Sequence, residues 1–230
     1  MKLKPYRILI YLFMISFLSL SGPVEAQQEI QEKIKQPISS VAKTIQLSAP
    51  DLERGKLLMQ ALKERKSTRS FSPKKLPLDV LSNLLWAASG VNRPETGLLT
   101  APTASNRQEI DVYVALEEGL YLYNPVPHTL SLVLEKDIRK STGRQPFTQK
   151  APVNLIFVAD YSKMGGSQES RDFYSATDTG YISQNVYLFC ASEGLVTVVL
   201  GWVDRPSLKK IMNLNDDQVI ILTQPVGYPK

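Results

Sequence analysis

Two runs apolar but for one position each, residues 153–159 (broken only by Asn154) and 195–200 (broken only by Thr197), bracket a long stretch of helical periodicity at 172–193, and this arrangement limits the fold more than any other feature. A strand with one wet face alternates apolar and polar residues, whereas a strand with apolar residues on both faces must be covered on both sides. The intervening helix closes at Gly194, and its Phe173, Ala176, Gly180, Gln184, Tyr187, Leu188 and Ala191 share one face. Gly180 permits close approach of another backbone, and Gln184, one turn away, needs a polar partner if buried. A helix–helix contact within or between subunits satisfies both, and so does a ligand.

The other elements are punctuated more plainly. Ser48-Ala49-Pro50-Asp51 has the form of a capping box, which predicts a helix continuing to about Arg65 with Leu58, Ala61 and Leu62 inward. Pro77-Leu78-Asp79 opens a second helix over 80–89, with Leu81, Leu84, Leu85 and Ala88 as its apolar face and Gly90 as its stop. Residues 91–106 carry Pro94, Gly97 and Pro102 and read as loop. Residues 110–115, 119–123 and 129–134 read as strands of a meander. A polar, glycine-containing segment at 163–170 is a candidate mobile loop, a short helix is expected at 206–212 and a last strand at about 218–223. Helices and strands alternate irregularly, which predicts an α+β domain with a mixed or antiparallel central sheet flanked by helices, not a doubly wound fold.

Residues 1–26 have the pattern of an export signal. Lys2, Lys4 and Arg7 precede an apolar run at 8–20, Ser21-Gly22-Pro23 breaks it, and Val24-Glu25-Ala26 offers small residues for cleavage. That run is shorter than the roughly 20 residues of a membrane-spanning helix. Without twin arginines or a following cysteine, the pattern predicts the general secretion route and a periplasmic or extracellular protein, with no stable membrane insertion after cleavage. Residues 27–47 are polar and read as a flexible linker, leaving 48–230 as one domain. The whole chain carries +5, and three of its cations and one anion lie in the first 26 residues, so the remainder has no charge excess that calls for nucleic acid.

The lone Cys190 excludes an internal disulfide and sits among apolar neighbours as a buried side chain. The lone His128 lies in a Pro125-Val126-Pro127-His128 turn; with no other histidine, no ligand-spaced carboxylates and no G-x-S-x-G elbow, neither a metal site nor a Ser-His-Asp hydrolase is predicted.

One segment carries concentrated binding chemistry. Arg65-Lys66-Ser67-Thr68-Arg69-Ser70-Phe71 places three cations and several hydroxyls at a helix end, with Phe71 as an anchor. Guanidinium forks, an ammonium and hydroxyls suit a phosphate, although a solvated helix end has the same composition. Two further segments belong with it: Ala101-Pro102-Thr103-Ala104-Ser105-Asn106-Arg107-Gln108, a loop of small residues ending in amides, and the buried run ending at Leu200-Gly201. With residues 84–90, 119–123, 180–185 and Pro225-Val226-Gly227, these segments give a chain that resembles the FMN-dependent nitroreductase family from about residue 52 onward. Within it the chain is most similar to the SagB-type, or thiazole-oxidase-like, dehydrogenases.

The resemblance implies a nitroreductase-like fold, an intertwined homodimer and an FMN-dependent oxidoreductase that passes a hydride to a small-molecule acceptor such as a nitroaromatic or quinone. Oxidation of a peptide heterocycle and a non-catalytic flavin scaffold are the alternatives. It also implies that Arg65, Lys66, Ser67 and Arg69 hold the FMN phosphate and ribityl chain. Thr103, Asn106 and Gln108 would pack on the ring from the partner subunit, Leu200 and Gly201 would bring backbone N–H groups to the flavin N5 region, and Lys230 would add a C-terminal cation. No acid–base residue is implied, and Tyr174 and Tyr181 enter only as pocket-lining candidates.

Overall fold

The computed structural model describes residues 43–230; the predicted export signal and the linker as far as residue 42 lie outside the described residues. A seven-stranded sheet forms the centre, in the order β1-β6-β5-β4-β7-β9-β8. Its members are β1 (Thr44–Gln46), β4 (Ile110–Ala115), β5 (Leu120–Asn124), β6 (Thr129–Leu134), β7 (Val153–Asp160), β8 (Val196–Thr197) and β9 (Gln218–Gly227). Every neighbouring pair is antiparallel. A hairpin of β2 (Val91–Arg93) and β3 (Leu98–Leu99) stands apart, within the stretch expected to be loop. The helices are α1 (Leu58–Glu64), α2 (Leu78–Ser89), α3 (Gln168–Ser192) and α4 (Arg205–Met212).

Strand β7 occupies the place its composition demands. Residues 153–159 are all buried, with β4 on one side and β9 on the other. Leu155, Phe157 and Ala159 face one core with Leu84, Leu85, Ile182 and Val186; Ile156 and Val158 face a second with Leu208 and Met212. The α+β architecture with flanking helices is thus the observed one.

Four boundaries differ from expectation. Residues 44–46 are sheet and not linker: Thr44, Ile45 and Gln46 pair with Ser131, Leu130 and Thr129, and Leu47 is buried. The first helix begins at Leu58, because Gly55 adopts φ +95° and the preceding segment is tied down by tertiary bonds instead. The Asp51 N–H donates to Asn83 Oδ1 (2.8 Å), and Arg54 Nη2 meets Glu193 Oε2 (2.7 Å). The loop after β7 is only residues 164–167, since Lys163 closes a short 3₁₀ turn and Ser167 caps α3 by accepting the Ser170 N–H. The run at 195–200 is ladder-paired only at Val196–Thr197, with a separate bridge from Leu200 to Thr223.

Helix α3 is turned opposite to the apolar reading. Its buried face is Ser175, Asp178, Thr179, Ile182, Ser183, Val186, Tyr187 and Cys190, whereas Phe173, Ala176, Gly180 and Gln184 are exposed. Small and polar side chains let the helix lie close on the sheet, where the buried Gln224 donates from Nε2 to the Ser183 carbonyl (3.4 Å). The outward face keeps Phe173 64 % exposed, and a Cβ built on Gly180 would meet nothing within 4 Å. Helix α1 repeats the pattern: only Ala61 is buried, while Leu58, Met59 and Leu62 are exposed.

Candidate active site around the basic segment and Tyr187

The basic segment leaves α1 as extended backbone and runs beside β8. The Thr68 N–H donates to the Thr197 carbonyl (2.9 Å), Ser67 bridges Thr197, and Phe71 bridges Pro229 near the C-terminus. The cluster divides between two cavities. Lys66 and Thr68 line a cavity of about 480 Å³ with Lys56, Lys63, Glu64, Tyr187 and Thr197, in which Lys56 pairs with Glu64. Arg69 and Phe71 line another, of about 690 Å³, with Arg139, Phe147, Lys150 and Lys230.

Tyr187 organises the first side. From α3 its Oη accepts the Val199 N–H (3.0 Å) and shares a hydrogen bond with Ser67 Oγ (2.8 Å). The Arg65 guanidinium lies over its ring at 5.3 Å, within cation–π range. One phenol therefore ties the basic segment, α3 and the strand end at 196–200 into a unit. The periodicity of α3 marks Tyr187 only as a packing residue, because its partners are remote in sequence.

Charge pairing separates structural cations from available ones. Arg54 pairs with Glu193, Arg139 with Asp137, Lys75 with Glu117 and Glu118, and Lys163 with Asp111. Among the described residues no carboxylate lies within ion-pair distance of Arg65, Lys66, Arg69 or Lys230. Uncompensated guanidinium and ammonium groups around a cavity suit a phosphate.

At the strand end the expected roles diverge. The Leu200 N–H donates to the Thr223 carbonyl (2.8 Å), and its carbonyl accepts the Thr223 N–H (3.1 Å), so that amide is already engaged within the chain. Gly201 is exposed, and a Cβ built there would touch only Leu222 Cδ2, at 3.8 Å. Packing within the chain does not require a glycine at 201; close approach by a ligand plane would. The residues present therefore fit a phosphate-bearing planar cofactor.

The 103–108 loop stands elsewhere. It packs on α3 through the Ala104 N–H, which donates to Asp178 Oδ2 (2.8 Å). Asp178 precedes Tyr187 by nine residues, about 14 Å along the helix. Thr103 Oγ1 accepts the Gln108 N–H (3.0 Å), and Gln108 Nε2 donates to the Gly97 carbonyl and to Asn106 Oδ1 (both 3.1 Å). Gln108 is thus a brace of the loop, while Asn106 is exposed. Ser105, Asn106 and Gln108 have φ of 55°, 51° and 49°, left-handed values that these cross-bonds hold.

His128 is structural. Ser82 Oγ donates to the Ser48 carbonyl and so accepts from His128 Nε2 (2.8 Å), while Nδ1 accepts from Tyr123 Oη (2.9 Å). Burial lowers its pKa, in keeping with a neutral ring. Cys190 is buried and its thiol pKa is pushed far up by burial. No metal-binding cluster of His, Cys, Asp or Glu occurs among the described residues.

The nitroreductase family model matches residues 62–228, which include the basic segment, the 103–108 loop and Gly201. The chain belongs to the nitroreductase family. It is 31 % identical over 195 residues to a nitroreductase of Methanocaldococcus jannaschii, covering 80 % of this chain and 96 % of that one. A crystal structure of a nitroreductase from Ralstonia eutropha superposes with a TM-score of 0.79 at 45 % identity, covering 84 % of this chain and 92 % of that one. The NADPH:FMN oxidoreductase of Vibrio harveyi, solved with NAD+, shares the fold at 16 % identity and a TM-score of 0.58, over 75 % of this chain and 69 % of that one. This nitroreductase-family chain is accordingly an oxidoreductase, of a family that generally binds FMN.

Proposed function

We propose that the chain is an exported, homodimeric flavoprotein that binds FMN between two copies and reduces a small acceptor such as a nitroaromatic or quinone. The observation that carries this reading is the pair of unpaired cations, Arg65 and Lys66, beside the Ser67–Tyr187 hydrogen bond. Arg65 and Lys66 would meet the phosphate, with Ser67 as a neutral donor held at fixed angle by Tyr187. Arg69 and Lys230 reach from the opposite side of the segment, and Gly201 leaves room for the ring. Bound FMN would supply the hydride transfer. The protein's part is to anchor the phosphate, expose one ring face and exclude water from the other.

Two features support a second copy. The loop carrying Thr103 and Asn106 sits about 14 Å along α3 from Tyr187, and a neighbouring chain would bring its own loop to the basic segment. The outward faces of α1 and α3 expose Leu58, Met59, Phe173 and Tyr181, apolar surface of the kind that dimers bury. The pattern of residues 1–26 supports the export reading, and on that reading we infer that the physiological reductant is not a nicotinamide, which is scarce outside the cytoplasm.

Our finer assignment to the SagB-type group, with a heterocyclic substrate as the second reading, rests on sequence stretches such as 84–90 and 119–123. Leu84, Leu85, Ala88, Leu120, Tyr121 and Tyr123 are core residues, so these stretches bear on the fold more than on the substrate. The test is a comparison of FMN with riboflavin by fluorescence titration. FMN should bind at least tenfold more tightly, and Arg65→Ala should erase most of the difference. Equal affinity for both flavins in the unmodified protein would refute the phosphate cradle.

A further inference from the structure

Glu109 has no solvent exposure, and neither of its carboxylate oxygens meets a protein donor. An ionised carboxylate in that position would cost several kcal/mol. Its neighbour is another acid: Asp178, 2 % exposed, whose carboxyl lies within hydrogen-bonding reach. Asp178 Oδ2 already accepts the Ala104 N–H at 2.8 Å. Two carboxyl groups without a donor between them are satisfied by one proton, held by one oxygen and accepted by another.

We propose that Glu109 and Asp178 share a proton, and that the pair clamps both ends of the 103–108 loop onto α3. Glu109 closes the loop and leads into β4, where its carbonyl accepts the Asp160 N–H (2.9 Å). Asp178 grips the other end at Ala104. Between these points lie the left-handed residues Ser105, Asn106 and Gln108. Burial, with Asp178 adding to it, raises the Glu109 pKa to about 7; the backbone N–H of Glu109 itself and, more weakly, Arg107 in the same loop oppose the rise. Above that range Glu109 carries a buried negative charge beside Asp178, and the repulsion releases the Ala104 end. Glu109 and Asp178 are positioning residues in this scheme. The clamp stands without flavin, and its bearing on the cofactor rests on the proposed function.

The experiment uses the full chain without added flavin. Amide hydrogen exchange at Ala104 is followed from pH 5 to 9, corrected for intrinsic rates, in the unmodified protein and in Glu109→Gln. The amide variant keeps a donor toward Asp178 and cannot ionise. Protection should fall on the order of 100-fold across neutrality in the unmodified protein and stay flat in Glu109→Gln. Infrared difference spectra with 13C-labelled glutamate supply a measurement that needs no variant: a protonated carboxyl band should be present at pH 5.5 and lost by pH 9. Absence of that band at pH 5.5, or identical exchange profiles in the two proteins, overturns the shared proton. A riboflavin and FMN titration over the same range separates this clamp from the flavin reading, because exchange and infrared signals do not depend on cofactor.

Discussion

Tyr187→Phe is a small change with a calculable effect. The ring stays, and with it the face under Arg65; what leaves is the oxygen that accepts the Val199 N–H at 3.0 Å and bonds Ser67 Oγ at 2.8 Å. A stranded backbone N–H costs about 1–3 kcal/mol, nearer the lower figure at the half-buried Val199, and a lost hydroxyl pair about 1 kcal/mol. The sum is about 2 kcal/mol. For a domain of this size that corresponds to a fall in Tm of roughly 4–8 °C. Urea denaturation measures the loss, and FMN affinity should weaken by several-fold because Ser67 and the 196–200 strand end lose their common tether. A double-mutant cycle with Ser67→Ala isolates the shared bond and should show coupling of about 1 kcal/mol. Full additivity of the two substitutions, or an unchanged midpoint in Tyr187→Phe, would refute the claim that this phenol holds the site together.

Other perturbations address separate parts of the account. Arg65→Ala should weaken FMN binding by about 1.5–3 kcal/mol, the value of a charge-assisted hydrogen bond, and unchanged flavin retention would show that Arg65 does not touch the phosphate. Phe173→Asp, on the outward face of α3, should shift sedimentation velocity from dimer to monomer and lower flavin retention with it; a dimer that persists places the interface elsewhere. The His128 pKa is lowered in the fold by burial, so its contribution to stability is present above the ordinary imidazole range and is lost as pH falls below it. Denaturant midpoints for the unmodified protein should therefore drop between pH 7.5 and 5 more than those of His128→Leu. NADH should support only slow turnover relative to dithionite-reduced enzyme, and NADH rates equal to those of cytosolic relatives would contradict the inference about the reductant.

The parts of the fold legible in sequence are those where one local pattern has one physical solution. A run with apolar residues on both faces, as in β7, must be central, and Pro77 with Gly90 leaves little freedom for the limits of α2. Helix α3 shows the opposite case. Its inward face carries Ser175, Asp178, Thr179 and Ser183; the Asp178 carboxylate is met there by the remote Ala104 N–H, and Gln224 reaches the helix at the Ser183 carbonyl. Periodicity alone assigns the apolar face inward, and such surface can equally face another subunit. The Ser48–Asp51 pattern misleads for a related reason: Asp51 and Arg54 find better partners in Asn83 and Glu193 than a helix would offer. Binding chemistry is legible where residue types cluster along the chain, as at 65–71. Tyr187 and Glu109 are not legible, since their roles arise from Ser67 and Asp178, far away in sequence.

The central claim is that this chain holds a working flavin, and one spectrum tests it. The protein is purified, incubated with FMN, freed of excess cofactor and scanned through the visible region. It should retain flavin absorption that bleaches with dithionite and returns on exposure to a nitroaromatic acceptor, with loss of the nitro compound. A colourless protein that cannot be reconstituted with FMN would contradict the account.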